Sequence, residues 1–296
     1  MAARMARTIV SFATGVLLAC AAIAYAGIPL RQPPSADFQR DDQPPLGTYL
    51  GFDRNDYPGD AVLDALAQGF AFCGYWLNPP PGENSDTWLG KRAILRSHGF
   101  GFLVLFNGRM DKELKSARDP KTLGSDDATA AVDSAKKEGF PPGTIIFLDQ
   151  EEGGRMLPEQ QAYLFAWVDA VNSSRYKAGV YCSGIPVQES LGVEITTAND
   201  IQNNVRGRKI SFFIYNDACP PAPGCDLDAE PLLPSQSGVP SATVWQFAQS
   251  PRRPELTALC PHPYNSDGNC YAPLPGNEKV HVDLDSAASP DPSHGR

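Results

Sequence analysis

The residues best suited to chemistry are two carboxylates at the end of an apolar run, Ile145-Ile146-Phe147-Leu148-Asp149-Gln150-Glu151. Side chains of a strand alternate between its faces, so Asp149 and Glu151 share a face with Ile145 and Phe147. Two carboxyls about 6 to 7 Å apart along a strand can divide the work of glycoside cleavage. One is held protonated and donates to the leaving oxygen. The other stays charged and either stabilises positive charge or activates water. Burial and mutual repulsion would set their pKa values apart. Glu152 has the opposite parity and reads as a turn or surface residue.

Other apolar runs also end in polar groups. Gly51-Phe52-Asp53 closes the first, and Val282-Asp283-Leu284-Asp285 closes the last, with His281, Asp283 and Asp285 on one face. Tyr181 and Asn216 end two further runs, and Trp245-Gln246-Phe247 ends another. An aromatic platform beside an amide suits sugar-ring stacking and hydroxyl hydrogen bonds. Tyr75 and Trp76 add aromatic surface near the same rim. Candidate catalytic residues are therefore Glu151, Asp149 and Asp53. Candidate substrate-binding residues are Tyr181, Trp245, Gln246, Asp283, Tyr75 and Asn216.

These residues need a scaffold that brings the ends of many strands together. Short apolar segments recur eight times, at residues 49–53, 70–77, 101–107, 144–151, 178–182, 210–216, 243–248 and 279–285. Several are continuously apolar, as expected for strands buried on both faces of a parallel sheet. Helical patterns fill the gaps at 60–68, at 85–98 closed by Gly99, at 125–137 before Gly139, and at 158–171 with Pro158 in the first turn. Eight strand–helix alternations predict an α/β fold, a single (β/α)₈ barrel of the TIM type, whose sites lie at the C-terminal ends of the strands. As first and eighth strands of a closed barrel, the segments carrying Asp53 and Asp283 would be neighbours. The stretch 218–240 shows no helix and reads as a long loop, and 287–296 reads as a disordered tail.

The chain has 296 residues and 42% hydrophobic content, enough for one large core. Its 26 Gly and 28 Pro fit a fold with many turns. The formal net charge of -9 argues against nucleic acid, and the short clusters Arg206, Arg208, Lys209 and Arg252, Arg253 read as solvated faces or loops. Arg4 and Arg7 precede an apolar run that ends in Ala24-Tyr25-Ala26-Gly27, the pattern of a secretory signal peptide over 1–26. Acylation at Cys20 or retention as a short membrane anchor are the alternatives for this segment. Residues 27–45 read as a linker, and 46–286 as the barrel. The expected location is secreted, periplasmic or elsewhere in the cell envelope, and a monomer is expected.

Export permits disulfides. Without Cys20 six cysteines remain. Cys219 with Cys225 and Cys260 with Cys270 each flank a loop rich in turn residues and read as local staples. Cys73 and Cys182 lie in strands two and five, which are not neighbours, and are expected to be buried free thiols.

Taken in order, GFD, DQE, GVYCSG, WQF and VDLD resemble the lysozyme-type muramidases of glycoside hydrolase family 25. They resemble more closely the glycoside hydrolase-like barrels known as domain of unknown function 1906. The resemblance spans about residues 46 to 286. It implies peptidoglycan glycan as substrate, with the acid role on Glu151 and the charge-stabilising role on Asp149. The family's first-strand aspartate falls on Asp53, its tyrosine on Tyr181 and its last-strand aspartate on Asp283. The muramidases carry a fuller aromatic motif after strand six, where this chain has Ile214-Tyr215-Asn216-Asp217.

Three readings of function follow. The first is a glycosidase of cell-wall glycan. The second is a non-catalytic carbohydrate-binding pseudo-enzyme of the envelope that uses the same cleft. The third is a metal-dependent phosphodiester or amide hydrolase using Asp53, Asp149, Glu151, His281 and Asp283, although no HxxE or HExxH spacing supports it. Ser183-Gly184 lacks a nucleophile elbow, and no G-x-G-x-x-G or P-loop occurs, so no cofactor is expected.

Overall fold

The computed structural model describes residues 47–228, 230–276 and 278–296. The expected signal segment 1–26 and linker 27–45 lie outside them. Eight strands close into a barrel: β1 (Tyr49–Asp53), β2 (Phe72–Trp76), β3 (Gly101–Asn107), β4 (Ile145–Asp149), β5 (Lys177–Ser183), β8 (Ser211–Tyr215), β9 (Ala242–Ala248) and β10 (Asp283–Ala287). A separate two-stranded hairpin, β6 (Val187–Ser190) with β7 (Val193–Ile195), projects after β5 and was not expected from sequence. The expected barrel is thus present, with one change of direction: β10 runs antiparallel to both β1 and β9, while the other neighbours pair in parallel.

The helices stand where turn chemistry permits. In the helix Pro120–Lys137 the Asp119 side chain accepts from the Lys121 and Thr122 amides, and Pro120 opens the first turn. That cap starts the helix five residues before the expected position. In the helix Pro158–Ser173 Pro158 again opens the first turn, and the Gln160 side chain accepts from the Leu157 amide. The predicted helix 85–98 shrinks to Arg92–Ser97. Among the described residues of 218–240 no α-helix occurs, as expected, and Pro234–Ser237 form a 3₁₀ turn.

The lumen alternates large and absent side chains. A Cβ on Gly179 would come within 2.4 Å of the Phe147 ring, and one on Gly51 within 2.2 Å of the Phe72 ring. Phe147 also packs edge-on against Phe213, with ring centroids 6.0 Å apart. These layers fix the inward face of β4 as residues 145, 147 and 149, which carries Asp149 to the top of the lumen.

Two expectations are corrected. The disulfides join Cys219 to Cys260 and Cys225 to Cys270, with Cα–Cα distances of 4.9 and 5.5 Å, and do not close local loops. The loops after β8 and β9 leave adjacent strands at the same end of the barrel and lie side by side. There the His262 amide donates to the Pro223 carbonyl and the Cys225 amide to the His262 carbonyl. Proximity across two loops thus prevails over proximity along one. Cys73 and Cys182 are free and buried, as expected.

Residues 287–296, expected as a disordered tail, instead close the lower end of the barrel. The Ser293 hydroxyl accepts from the Val104 amide at 2.8 Å, the Ser293 carbonyl accepts from the Ile145 amide at 2.8 Å, and Asp291 accepts from the Phe102 amide at 2.9 Å. The tail thereby satisfies amides at the starts of β3 and β4 that would otherwise lack partners. Gly101 admits it, since a Cβ there would come within 1.9 Å of the Pro290 carbonyl. Among the described residues no helix is long and apolar enough to cross a membrane.

Candidate active site

Asp149 and Glu151 stand at the upper mouth of the barrel, as barrel geometry requires of residues at the end of a strand. The segment carrying them is pinned by its neighbours. The Gln150 amide donates to the Tyr181 carbonyl at 3.0 Å, and the Gly108 amide to the Asp149 carbonyl at 3.2 Å. The Tyr215 hydroxyl donates to the Glu151 carbonyl at 3.1 Å. Glu152, expected as a plain turn residue, anchors the loop by accepting from the Asp111 amide and from the Gln150 and Gln160 side chains.

A cavity of about 140 Å³ opens between the strand ends. Asp53, Asp149, Glu151, Asp283, Tyr181 and Gln246 line it, together with Trp76, Phe213 and Gln249. It continues at Glu151 and Pro81 into a groove of about 650 Å³ along the loops after β2 and β3, walled by Asn78, Asn107, Arg109 and Glu113. The groove lies within the usual size of a ligand site, and the cavity is smaller than that.

Asp149 is 4% exposed, and its Oδ1 meets no protein donor. Its contact is the Glu151 carboxyl, which lies within hydrogen-bonding reach. Two carboxyls in contact need a shared proton. Burial, followed by the charge of Glu151, raises the Asp149 pKa well above the usual carboxylate range. Glu151 is also raised, first by its crowded surroundings, but its bond to Asp149 lowers it and its side chain is exposed to the groove. The two shifts thus separate the pair, with the fully enclosed Asp149 raised further and Glu151 opening to the groove.

Opposite this pair, β1 and β10 place Asp53 against Asp283 in register, as the closed barrel predicts. Asp53 is pushed up to about 6, chiefly by burial. Asp283 is raised well above its ordinary value by burial and then by Asp53, although the Ser250 amide donates to it. A Cβ on Gly74 would lie 2.6 Å from the Asp53 Cβ, so only glycine leaves room there for that carboxylate. The Gln246 Nε2 donates to Asp53 at 2.8 Å, and the Tyr181 hydroxyl donates to Gln246 Oε1 at 2.7 Å. Gln249 closes the network by donating to the Tyr181 oxygen at 3.0 Å and to Gln246 Oε1 at 2.8 Å. Burial and three nearby carboxylates raise the Tyr181 pKa far above its ordinary value, so it remains a phenol and a donor.

Six of the nine predicted site residues thus converge: Asp53, Asp149, Glu151, Tyr181, Gln246 and Asp283. Three do not. Tyr75 faces the helix layer, where its hydroxyl donates to Glu138 and its ring meets Trp88, Phe102 and Phe140. The parity that turns Gly74 and Trp76 inward turns Tyr75 outward. Trp245 is fully buried behind β9, and its indole N–H donates to the Asn216 carbonyl at 2.9 Å. It cannot share a face with the inward Gln246 one residue along the strand. Asn216 spends its amide on the Ser237 carbonyl at 2.8 Å and lines a different surface hollow. The aromatic surface of the cavity comes from Trp76, Phe213 and Tyr181 instead.

Gln249, Asp285 and Arg253 lie at or beside the cavity without having been expected there, although Asp285 shares a strand face with Asp283. Gln249 repeats the parity of Phe247 and gives no signal before β9 is seen to end at Ala248. Arg253, read as a solvated residue, is held by Asp217 and lies over the Tyr215 ring, where its charge acts on Glu151. His281 is exposed and does not line the cavity. Among the described residues no three His, Cys, Asp or Glu side chains group to hold a metal.

Solved structures of similar fold include an uncharacterized B. stearothermophilus protein, 17% identical over 81% of this chain and 95% of that one, with a TM-score of 0.49. The Mycobacterium tuberculosis Tat-secreted protein Rv2525c, solved in complex with L-tartrate, is 16% identical over 83% of this chain and 97% of that one, with a TM-score of 0.49. A bacterial lysozyme from Streptomyces coelicolor is 12% identical over 80% of this chain and 90% of that one, with a TM-score of 0.44. No curated protein matches the chain. Residues 65–218, from the helix after β1 to the end of β8, match the profile of the Rv2525c-like, glycoside hydrolase-like domain, and the chain belongs to that family.

Proposed function

We propose that this chain is an exported glycoside hydrolase that cleaves cell-wall glycan of the peptidoglycan type. The observation that carries the reading is the Asp149–Glu151 contact at the junction of a carboxylate-lined cavity and a ligand-sized groove. A glycan lying in the groove brings a glycosidic oxygen to Glu151. Displacing water there removes what favours the Glu151 anion, and the proton held on Asp149 passes to it. Glu151 then donates to the leaving oxygen as the C–O bond breaks. The electron pair of that bond leaves with the oxygen, and positive charge develops on the sugar ring. The Asp149 carboxylate, now free of its proton, and Asp53 across the cavity stabilise that charge, until water adds to the ring carbon and gives its proton to Glu151, restoring the shared proton of the pair. Tyr181 and Gln246 hold Asp53 in place, Asp283 shares its rim, and Trp76 offers an apolar face to a ring.

Export accords with the basic, apolar and small-residue pattern of 1–26 and with two disulfides, which persist in oxidising compartments. The chain acts as a monomer in the envelope or outside the cell. The test is release of reducing ends from purified peptidoglycan and from chitin-type oligosaccharides by the mature chain and by Glu151→Gln. Release by the wild type alone supports the proposal. Saturable binding with no release by either makes the chain a glycan-binding relative of the enzymes.

A further inference from the structure

Beneath the site lies a carboxyl that this mechanism does not use. Asp285 is 0% exposed, and neither of its oxygens meets an amide, hydroxyl or cationic donor of the protein. An isolated carboxylate so placed is strongly disfavoured, as any buried unpaired ion is. The fold supplies one polar neighbour. In register, Asp285 of β10 lies between Gly51 of β1 and Gln246 of β9, and Gly51 puts no side chain in its way. The Asp285 carboxyl therefore reaches upward to Asp53, two residues along β1 and within hydrogen-bonding distance.

We infer that Asp285 is a positioning residue: a neutral carboxylic acid whose O–H donates to Asp53, fixing that carboxylate from below as Gln246 fixes it from the side. The carboxyls around the pair all act in one direction. Asp53 and Asp283 face Asp285, and both favour its protonated form, as does its burial. Asp149, Glu151 and Asp283 face Asp53, and the half-buried Arg54 beside it acts on Asp283. The more deeply buried Asp285 holds the proton. Its bond lowers Asp53, against the burial that raises it, and leaves Asp53 ionised above about pH 6. The lower carboxyl pair thus mirrors the Asp149–Glu151 pair, with the roles of proton holder and ligand-facing group again divided by depth. The catalytic consequence rests on the proposed glycoside cleavage, whereas the protonation state does not.

Carboxyl-carbon NMR titration of full-length mature protein with ¹³C-labelled aspartate reads the protonation state directly, with signals assigned by the single variants. In the wild type Asp285 stays protonated through neutral pH while Asp53 ionises near pH 6. Asp285→Asn keeps a donor against Asp53, so the Asp53 midpoint stays within a few tenths of a unit. Asp285→Ala removes the donor, and the midpoint rises by about one unit, a tenfold change in the proton-binding constant. Ionisation of Asp285 before Asp53 in the wild type overturns the inference, and this remains decisive if Asp285→Ala does not fold. An unmoved Asp53 midpoint in folded Asp285→Ala also overturns it. In glycan cleavage, the acid limb of the kcat/KM profile should follow the Asp53 midpoint in Asp285→Ala and return in Asp285→Asn. If the wild type cleaves no glycan, the proposed function falls and the titration still decides the role of Asp285.

Discussion

Replacing Asp149 by Asn should change how stability depends on pH, by an amount that follows from the burial of one group. An aspartate in the unfolded chain ionises near pH 3.9. In the folded chain Asp149 is 4% exposed, has an undonated oxygen and touches Glu151, so its pKa lies well above that value. A group raised by folding contributes stability that is fully present below the unfolded pKa and is lost as pH rises through the folded one. Between the two values the folded state binds one more proton than the unfolded state at this site, which reduces stability by about 1.4 kcal/mol per pH unit. Asp285 and Asp283, raised in the same way, contribute similar slopes, and Asp53 adds to them up to about pH 6, so the wild type should lose stability steeply across this window. Asp149→Asn removes one of these protons, and its amide can donate to Glu151 without titrating. The slope should become shallower, and the variant should gain on the wild type by about 1.4 kcal/mol per unit. Urea unfolding followed by circular dichroism at about pH 5, 6 and 7 measures this for both proteins. A stability difference that does not change with pH would refute the shared proton, and with it the store on which Glu151 draws.

Other expectations follow from single contacts. Ser293→Ala should cost about 1 to 3 kcal/mol, because the buried Val104 amide loses its acceptor; unchanged unfolding would mean that the C-terminal segment does not clamp β3. Gly74→Ala should abolish glycan cleavage while leaving the circular dichroism spectrum intact, since the new methyl displaces Asp53; an equally active variant would remove Asp53 from the site. Non-reducing peptide mapping should recover Cys219 linked to Cys260 and Cys225 to Cys270. Removing the first bridge, which spans 41 residues, should cost about 4 kcal/mol by the loop-entropy relation.

Where the sequence reading succeeded, one physical signal dominated. Continuous apolar runs ending in polar residues located all eight barrel strands, because a buried parallel strand leaves few other patterns. The same signal located Asp53, Asp149 and Glu151, since a carboxylate directly after an apolar run must lie at a strand end. The aromatic assignments failed because parity is relative. Trp245 and Gln246 cannot both face the lumen, and only the amide in an otherwise apolar strand hinted at which one does. Tyr75 and Trp76 posed the same choice with no polar residue between them to decide it. The disulfides failed for a different reason: spacing along a loop says nothing about which second loop lies beside it. The tail was misread because its short polar residues, typical of disorder, are here used as acceptors for strand-end amides.

The reversal of β10 explains why one strand contributes two carboxyls to one site. In a parallel barrel strand only the C-terminal end reaches the mouth, so DLD at the end of the last apolar run would place its second aspartate uppermost. The observed strand begins at Asp283 and descends. Asp283 therefore pairs with Asp53 at the rim, and Asp285 falls one layer lower, opposite Gly51. The apolar residues before it, from Val280 to Val282, belong to the loop that Cys270 ties down, which is why the expected strand at 279–285 began early. Direction thus converts two aspartates of equal parity into one group that faces the cavity and one that supports it. The same sequence read as a parallel strand would have put the supporting group in the cavity and the working group beneath it. The carboxyl that titrates with Asp53 therefore distinguishes the two directions, with Asp285 expected for the antiparallel strand observed here.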